Sequence, residues 1–372
     1  MKYYLIAGEA SGDLHGANLM KALKKEDAEA DFRFWGGDLM KAAGGTEVKH
    51  YRDLAFMGFA EVVMNLGTIL RNIKFCKKDI EIFNPDVIIF IDYPGFNFQI
   101  MKWAKKKGYK NHFYISPQIW AWKEGRIKDI KRDVDEMYVI LPFEKDFYEN
   151  KHNFPVHFVG HPLIDAIYDR RQVDPATFKK ENGLDERPIV ALLPGSRKQE
   201  IKKMLEIMIS VAKNFSEYQF VIAGAPSQEK SFYETFTSTK NAYFVSNKTY
   251  DLLSISDAAL VTSGTATLET ALFKVPQVVC YKGSRISYEI AKRVIKLDYI
   301  SLVNLILNKE TVTELIQTEF NTNRLKEELT KILEPYKRAT IFLDYYELEQ
   351  TLGGRGASEK TAKLIYSEIR GN

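Results

Sequence analysis

The stretches LPGSR at positions 193–197 and TSGTATLE at positions 262–269 each follow an apolar run typical of a strand and begin a helical pattern. A glycine turn at a helix start lets backbone amides approach an anion, and the helix dipole adds positive charge there. The same residue types also begin many α/β helices simply as turn and cap residues, which is the alternative interpretation. Because one half of the chain contains two such turns, the sequence favours binding of a nucleotide-type phosphate.

Apolar runs and helical patterns alternate through both halves of the chain, which predicts an α/β fold of parallel strands joined by crossover helices. The predicted strands are 2–7, 32–35, 86–91, 111–115, 136–140, 188–193, 218–223, 242–245, 257–262 and 276–280. The predicted helices are 13–25, 62–83, 97–107, 124–132, 143–150, 198–214, 227–237, 249–255, 265–273, 285–295, 310–317, 322–334, 337–350 and 356–370. A further glycine turn, AGEASGD at 7–13, lies in the first half, so we expect a ligand in a cleft between two lobes.

The length of 372 residues suits two domains better than a single core. We expect an N-terminal domain at 1–165, a C-terminal domain at 166–335 and a helical tail at 336–372. A tail of this length must pack on something, and the sequence leaves open whether it returns to the first domain or reaches a partner chain.

The composition excludes several classes of protein. Lys and Arg number 53 against 49 acidic residues, a net charge of +4, which is too small to indicate nucleic-acid binding. The two cysteines, Cys76 and Cys280, form neither a disulfide framework nor a zinc pattern. Since the first strand begins directly after Met1 and no apolar run approaches the length of a spanning helix, we expect a cytoplasmic protein that is neither secreted nor membrane-spanning.

Asp92 is the first candidate for acid–base chemistry. It ends the most apolar strand, VIIFI at 87–91, and ligands of doubly wound sheets lie beyond the carboxyl ends of the strands. A partly desolvated carboxylate there would have a raised pKa and could act as a general base. The alternative is that Asp92 merely caps the helix that follows.

Two other segments have two interpretations each. The loop YISPQIWAWK at 114–123 could stack Trp120 and Trp122 on a sugar or cover an acyl chain, or its tryptophans could be ordinary interdomain packing. The segment 59–78 is a basic amphipathic helix pattern, typical of a membrane surface but also of a helix that faces its own core. His161 is isolated from other ligand-type residues, which indicates a structural or hinge role.

Eight motifs, in order over nearly the whole chain, resemble the lipid-A-disaccharide synthase family. They are AGEASGDLHG (7–16), MGFAEV (57–62), IDYPGFN (91–97), SPQIWAW (116–122), LPFE (141–144), LLPGSR (192–197), SGTATLE (263–269) and DYISL (298–302). The resemblance implies a GT-B-type fold with two Rossmann-like domains facing a cleft, and an inverting glycosyltransferase without catalytic metal or cofactor. The implied reaction joins UDP-2,3-diacylglucosamine to 2,3-diacylglucosamine 1-phosphate (lipid X), giving the β(1→6) lipid A disaccharide 1-phosphate and UDP.

The resemblance also implies roles for individual residues. Asp92 would take the proton from the acceptor's 6-hydroxyl, and Arg197 would stabilise the departing diphosphate. The expected UDP-binding residues are Gly195, Ser196, Ser263, Gly264, Thr265, Thr267 and Glu269, with Glu269 on the ribose hydroxyls. Expected contacts on the acceptor side are Glu9, Ser11, Asp13, His15, Trp120 and Trp122. The expected membrane-facing residues are Val62, Val63, Leu66, Ile69 and Leu70.

The expected partners are therefore the two acylated sugars and the cytoplasmic face of the inner membrane of a Gram-negative bacterium, and the tail allows a homodimer. One alternative is a UDP-sugar 2-epimerase, which shares two nucleotide-binding lobes but would not need the basic amphipathic face. Another is a two-lobed solute-binding protein, which the missing signal sequence argues against.

Overall fold

The structure is a computed structural model that describes residues 1–54, 66–195, 198–225, 228–237, 241–283 and 298–371. The chain divides into two compact units. Unit 1 contains Met1–Asp165 and the chain from Leu352 onward, and unit 2 contains Ala166–Thr351. The chain therefore leaves unit 1 and returns to it near its end.

Unit 1 contains a sheet of seven parallel strands in the order β3-β2-β1-β4-β5-β6-β7. Its strands are β1 Lys2–Ala7, β2 Asp31–Gly36, β3 Thr46–His50, β4 Val87–Ile91, β5 Asn111–Tyr114, β6 Glu136–Val139 and β7 His157–Phe158. The order reverses between β1 and β4, as in a Rossmann-like sheet, so a crevice at their carboxyl ends is the expected ligand position.

The helices of unit 1 lie between these strands. They are α1 Ala10–Glu26, α2 Asp38–Ala43, α3 Leu66–Phe83, α4 Pro94–Lys106, α5 Ile127–Asp133 and α6 Pro142–Asp146, followed across the boundary of the units by α7 Pro162–Tyr168. Single turns of 3₁₀ helix occupy Tyr51–Asp53 and Glu124–Arg126, and a π-helical turn occupies Phe147–Lys151.

The core of unit 1 is apolar but contains one satisfied polar cluster. All five residues of β4 are buried, as expected for a central parallel strand. Trp35 donates its indole N–H to the Tyr4 hydroxyl at 2.8 Å, and Tyr4 donates to Asp79 at 2.8 Å. Arg33 pairs with the same carboxylate. These four side chains are hydrogen-bonded to one another. The network therefore fixes α3, which carries Asp79, against the sheet at little desolvation cost.

Unit 2 contains a sheet of six parallel strands in the order β10-β9-β8-β11-β12-β13. Its strands are β8 Ile189–Leu193, β9 Gln219–Gly224, β10 Ala242–Ser246, β11 Ala258–Thr262, β12 Gln277–Tyr281 and β13 Glu314–Ile316. Its helices are α8 Pro175–Glu181, α9 Lys198–Ser210, α10 Lys230–Glu234, α11 Thr249–Leu253, α12 Thr265–Leu272, α13 Leu302–Leu307, α14 Thr322–Leu333 and α15 Pro335–Thr351, with a 3₁₀ turn at Ala212–Asn214. The order reverses between β8 and β11.

The predicted tail is divided between the units. Helix α15 belongs to unit 2, where Glu349 pairs with Lys274 at 2.5 Å and accepts from the Tyr168 hydroxyl at 2.7 Å. The last helix, α16 Ala357–Arg370, packs in unit 1, where the amide of Gly356 donates to Asp165 at 2.7 Å. The expectation of one continuous tail is therefore corrected: only the part after Thr351 returns to the N-terminal unit.

The α/β fold of two doubly wound units is confirmed, and each of the ten predicted strands is present. Seven of the described strands and helices were not predicted from the sequence: β3, β7, β13, α2, α7, α8 and α13. The helix predicted at 310–317 is wrong, because residues 314–316 form β13 beside β12. The helix predicted at 285–295 lies outside the described residues. Among the helices that are described, none combines the length and apolar character that crossing a bilayer requires.

Candidate active site

The first part of the candidate site lies where β1 and β4 end side by side. Ala7 and Ile91 are paired in the parallel register, so Gly8–Glu9 and Asp92 leave the sheet next to each other. Asp92 therefore lies at the carboxyl edge of the sheet, at the point where the strand order reverses. The sequence analysis expected this placement from the apolar run that precedes Asp92.

The Asp92 carboxyl lies in an environment that disfavours its charge. Burial raises its pKa to about 6, the nearby Glu9 carboxylate adds to the shift, and a hydrogen bond from the Tyr93 amide opposes it. The backbone at Asp92 has a φ of 45°, and its carbonyl accepts from the Asn97 side-chain amide at 2.6 Å. A carboxyl with a pKa near 6 is ionised at neutral pH and basic enough to accept a proton in a reaction.

Asp13 has a structural role, which corrects the expectation that it contacts the acceptor. Its carboxylate accepts from the backbone amides of Gly37 at 2.8 Å, Leu39 at 3.0 Å and Met40 at 3.0 Å. These bonds tie α1 to the first turn of α2, whose initial amides have no acceptor within the helix. Asp13 is buried and its two oxygens are both occupied.

His15 and His161 are buried in unit 1. Burial lowers the pKa of His15 to about 4 and, together with repulsion from His15, that of His161 to about 3. His161 Nδ1 accepts from the Leu163 amide at 3.2 Å, which fits the structural role expected for it. Within the described part of the chain, His15 Nδ1 has no hydrogen-bond partner. Glu9 and Ser11, by contrast, are exposed at the start of α1.

The aromatic loop after β5 is held by an acidic residue that the sequence analysis did not select. Glu144 is buried and accepts from the amides of Ile140 and Leu141 and from the Trp120 indole at 3.2 Å. Burial raises the Glu144 pKa to about 7, and these hydrogen bonds oppose the shift. Trp120 is thereby fixed, whereas Trp122 is 47% exposed with the Lys123 ammonium 4.2 Å from its ring centre. This arrangement leaves Trp122 accessible to a ligand.

The second part of the candidate site is a cavity of about 300 Å³ in unit 2. It opens at the carboxyl ends of β8 and β11, where the strand order reverses. Its lining residues are Leu193, Pro194, Gly195, Glu200, Ala223, Ala225, Thr249, Thr262, Ser263, Gly264, Thr265, Ala266 and Glu269. Five of the expected UDP-binding residues are thus brought together, and Glu200, Thr249 and Thr262 are additional.

The two glycine turns have the backbone conformation that their sequences suggested. Gly195 has a φ of 102° and Gly264 a φ of 148°, values that other residues rarely adopt. Gly264 directly precedes α12, whose first amides have no acceptor within the helix. An anion in this cavity would be bound by backbone amides and by the helix dipole.

The side chains of this turn differ from expectation. Thr267 is fully buried, donates to the Gly264 carbonyl at 2.8 Å and is absent from the cavity lining, so its assignment to phosphate binding was wrong. Ser263 lines the cavity, but its hydroxyl donates to the Ile300 carbonyl at 2.9 Å and its amide donates to the Cys280 carbonyl at 3.2 Å. Thr265 is exposed and lines the cavity. The hydroxyls of Ser263 and Thr267 are therefore engaged by carbonyls, whereas Thr265 is exposed at the cavity.

Glu269 borders the cavity one turn into α12. The Tyr250 hydroxyl donates to it at 2.7 Å. Burial raises the Glu269 pKa, and the hydrogen bond from Tyr250 partly offsets the shift. A carboxylate fixed in this way can accept from ligand hydroxyls with its remaining lone pairs.

The remaining predicted residues are either not described by the structure or lie on α3. Arg197, Ser196, Val62 and Val63 lie outside the described residues. In α3, Leu66 is 53% exposed, Leu70 is 57% exposed and Ile69 is half-buried. The opposite side of α3 is buried, with Cys76, Asp79 and Ile80, so this helix both faces its own core and presents leucines to solvent.

The fold defines the class of the protein. UDP-GlcNAc 2-epimerase from Neisseria meningitidis, solved with bound UDP-GlcNAc, matches 100% of this chain and 100% of its own at a TM-score of 0.67 and 15% identity. Two Rossmann-like units, each with a glycine turn at the reversal of strand order, make this chain an α/β protein of the GT-B type.

Sequence comparisons identify the family. The family model described as lipid-A-disaccharide synthetase matches residues 3–367. The lipid-A-disaccharide synthase of Syntrophus aciditrophicus is 38% identical, with 98% of this chain and 97% of the relative covered. That of Geobacter metallireducens is also 38% identical, with 97% and 95% covered. The chain belongs to the lipid-A-disaccharide synthase family, a family of hexosyltransferases.

Proposed function

We propose that this chain transfers the diacylglucosamine unit of UDP-2,3-diacylglucosamine to the 6-hydroxyl of 2,3-diacylglucosamine 1-phosphate (lipid X). The products are the β(1→6) lipid A disaccharide 1-phosphate and UDP. Membership of the synthase family supports the reaction. The observation that supports the mechanism is a carboxyl group with a pKa of about 6 at the carboxyl edge of the sheet of unit 1, where the strand order reverses.

Asp92 acts as the general base in this proposal. As the acceptor oxygen attacks the anomeric carbon of the donor sugar, its proton moves to the Asp92 carboxylate and the bond from that carbon to the diphosphate breaks. The attack inverts the anomeric configuration because the nucleophile approaches opposite the leaving group. Burial favours the step, since a desolvated carboxylate gains more by accepting a proton than a solvated one.

The cavity of unit 2 holds UDP. Backbone amides at Gly195 and at the Gly264–Thr265 start of α12 bind the diphosphate, and Glu269 accepts hydrogen bonds from the ribose. Arg197, which follows the first of these turns in sequence, supplies positive charge as the diphosphate departs. Neither a metal nor a cofactor takes part.

The acylated substrates are drawn from the cytoplasmic face of the inner membrane of a Gram-negative bacterium, where the protein is peripherally bound. Leu66 and Leu70 on α3 support this part of the proposal, because they are exposed beside the cationic side chains of Arg71, Lys74 and Lys78. Unit 1 binds the acceptor and the membrane, with Glu9, Ser11, His15, Trp120 and Trp122 on the acceptor side. Unit 2 binds the UDP-sugar, and two chains associate as a homodimer.

Mass spectrometry of the products tests the reaction. The purified protein is mixed with UDP-2,3-diacylglucosamine and lipid X in the presence of a chelator of divalent cations. We expect one disaccharide 1-phosphate and one UDP per turnover, and no product when either sugar is omitted. A C2 epimer of the donor by NMR, or unchanged substrates, would reject the proposal in favour of another nucleotide-sugar activity.

A further inference from the structure

The turn that carries Asp92 has a strained backbone. Asp92 has a φ of 45° and the next residue, Tyr93, a φ of 51°, so two consecutive non-glycine residues adopt the left-handed conformation. Each such residue costs free energy and persists only where its surroundings enforce it. Pro94 then begins α4, and Asn97 in the first turn of this helix donates to the Asp92 carbonyl at 2.6 Å. Something in unit 1 must therefore hold this conformation in place.

The Tyr93 ring is packed directly on Gly8, the residue that follows β1. A β-carbon built on Gly8 would lie well inside 3.0 Å of the ring carbons Cγ, Cδ1 and Cδ2 of Tyr93. Real β-carbons do not make such contacts, so only glycine at position 8 leaves room for the ring where it lies. Gly8 itself has no left-handed backbone, so its lack of a side chain, rather than its conformational freedom, is what the packing requires.

Two further contacts fix the ring from other directions. The Phe96 ring stacks on it with centres 5.6 Å apart and planes 28° apart. The Tyr93 hydroxyl donates to the Leu54 carbonyl at 3.4 Å. The backbone amide of Asp92 donates to the Tyr114 carbonyl at 3.3 Å. The ring is thus clamped between the end of β1, helix α4 and the segment after β3.

We propose that Tyr93 is a positioning residue for Asp92: its ring, seated on the bare backbone of Gly8, holds the strained turn in the conformation that presents the Asp92 carboxylate to the acceptor. This inference rests on the proposed role of Asp92 as the base. Without the ring, the turn relaxes toward negative φ and the carboxylate turns away from its productive direction. Gly8 and Tyr93 form a matched pair, because the ring fits only where position 8 has no side chain and the ring fills the space that the glycine leaves.

The Gly8→Ala variant tests the pair, because the added methyl group displaces the ring. We expect kcat to fall about 100-fold, the size of effect that a small misplacement of a reacting group produces. The KM values for both sugars should stay within about threefold of the original, since the ring acts on the base and not on substrate capture. The control is Gly125→Ala in the same unit, where a β-carbon meets no atom within 4 Å and kcat should not change.

A double-mutant cycle separates positioning from general damage. Tyr93→Gly removes the ring and should lower kcat about tenfold, and adding Gly8→Ala to it should then cost nothing, because no ring remains to collide. Tyr93→Phe keeps the ring and should keep kcat. Additive effects of the two substitutions, or a Tyr93→Gly variant with normal kcat, would overturn the inference. The Tyr93→Gly variant also decides the question if Gly8→Ala fails to fold.

The role of Asp92 is measured separately. If Asp92→Asn retains turnover, the proposed base is wrong and the positioning role of Tyr93 is wrong with it. If Asp92→Asn abolishes turnover while Gly8→Ala and Tyr93→Gly have normal kcat, the base is right and the positioning role is wrong.

Discussion

Asp92 combines a half-buried position, a neighbouring acid and a strained backbone in one residue. Its pKa of about 6 lies above the usual 3.8 chiefly because burial penalises the charged form, with repulsion from Glu9 as the second cause. A base must be deprotonated to act. The same shift that makes Asp92 a better proton acceptor therefore removes the base from use in mildly acidic solution.

The pH dependence of the reaction should show this shift. We expect kcat/KM to be constant above pH 7 and to fall tenfold per pH unit below about pH 6, where the Asp92 carboxyl becomes protonated. In the Glu9→Gln variant the midpoint should move to lower pH, because the repelling charge is gone. If kcat/KM of the original protein falls only near pH 4, another group controls the rate.

Stability should change in the opposite sense to activity. Because the folded pKa of Asp92 is raised, its favourable contribution to folding is present below about pH 3.8 and is lost as the pH rises through 6. Asp92→Asn should therefore raise the free energy of unfolding at pH 8 by about 2 kcal/mol, and this gain should shrink at pH 4. Urea titrations at the two pH values would measure it, and an equal change at both would contradict the assignment.

Sequence reasoning found Asp92 but could not assign its neighbours. An acid at the end of an apolar strand is visible in the sequence, whereas the burial of Asp13 under the first turn of α2 depends on a helix of six residues that no pattern indicated. Thr267 was misassigned for a similar reason, since its hydroxyl turns back to the Gly264 carbonyl inside α12. Glu144 lies in a recognisable motif, but its contact with Trp120 joins residues 24 positions apart.

At the scale of elements, the length and the apolar content of a strand together decided whether it was predicted. Strands with five or more apolar residues, such as β4 and β8, were predicted because both of their faces are buried. The three residues of β13 are too few to show a period of two, and the surrounding segment was therefore predicted to be helical. Pairing with β12 is a long-range contact that only the folded sheet supplies.

Helix α12 also carries a prediction, because Glu269 borders the cavity at its second turn. If its carboxylate accepts from the ribose, the protein should bind UDP about tenfold more tightly than 2′-deoxy-UDP, and Glu269→Gln should remove most of that difference. Calorimetric titration with both nucleotides measures the two ratios. Glu200→Gln, at another acid of the same cavity, is the matched control and should keep the original ratio. An unchanged ratio in Glu269→Gln would place the ribose elsewhere.

At the scale of the whole molecule, the proposed membrane association depends on a small exposed surface of α3. Exchanging Leu66 and Leu70 for Ser removes apolar area worth about 1.5–3 kcal/mol for each leucine that becomes fully buried in lipid. We expect at least about a tenfold loss of binding to anionic phospholipid vesicles in flotation assays, with an unchanged melting temperature. The control is Leu343→Ser, since Leu343 is 71% exposed on α15 of the other unit. Equal vesicle binding by both variants would reject α3 as the docking surface.

The two units have different tasks in the proposed reaction. In that reaction unit 1 supplies the proton acceptor and unit 2 the nucleotide cavity, so one substitution should separate chemistry from nucleotide binding. The most direct measurement compares Asp92→Asn with the original protein for both disaccharide formation and UDP affinity. We expect turnover to fall by about 10²- to 10⁴-fold and the Kd for UDP to stay unchanged. Near-normal turnover in this variant would contradict the proposal.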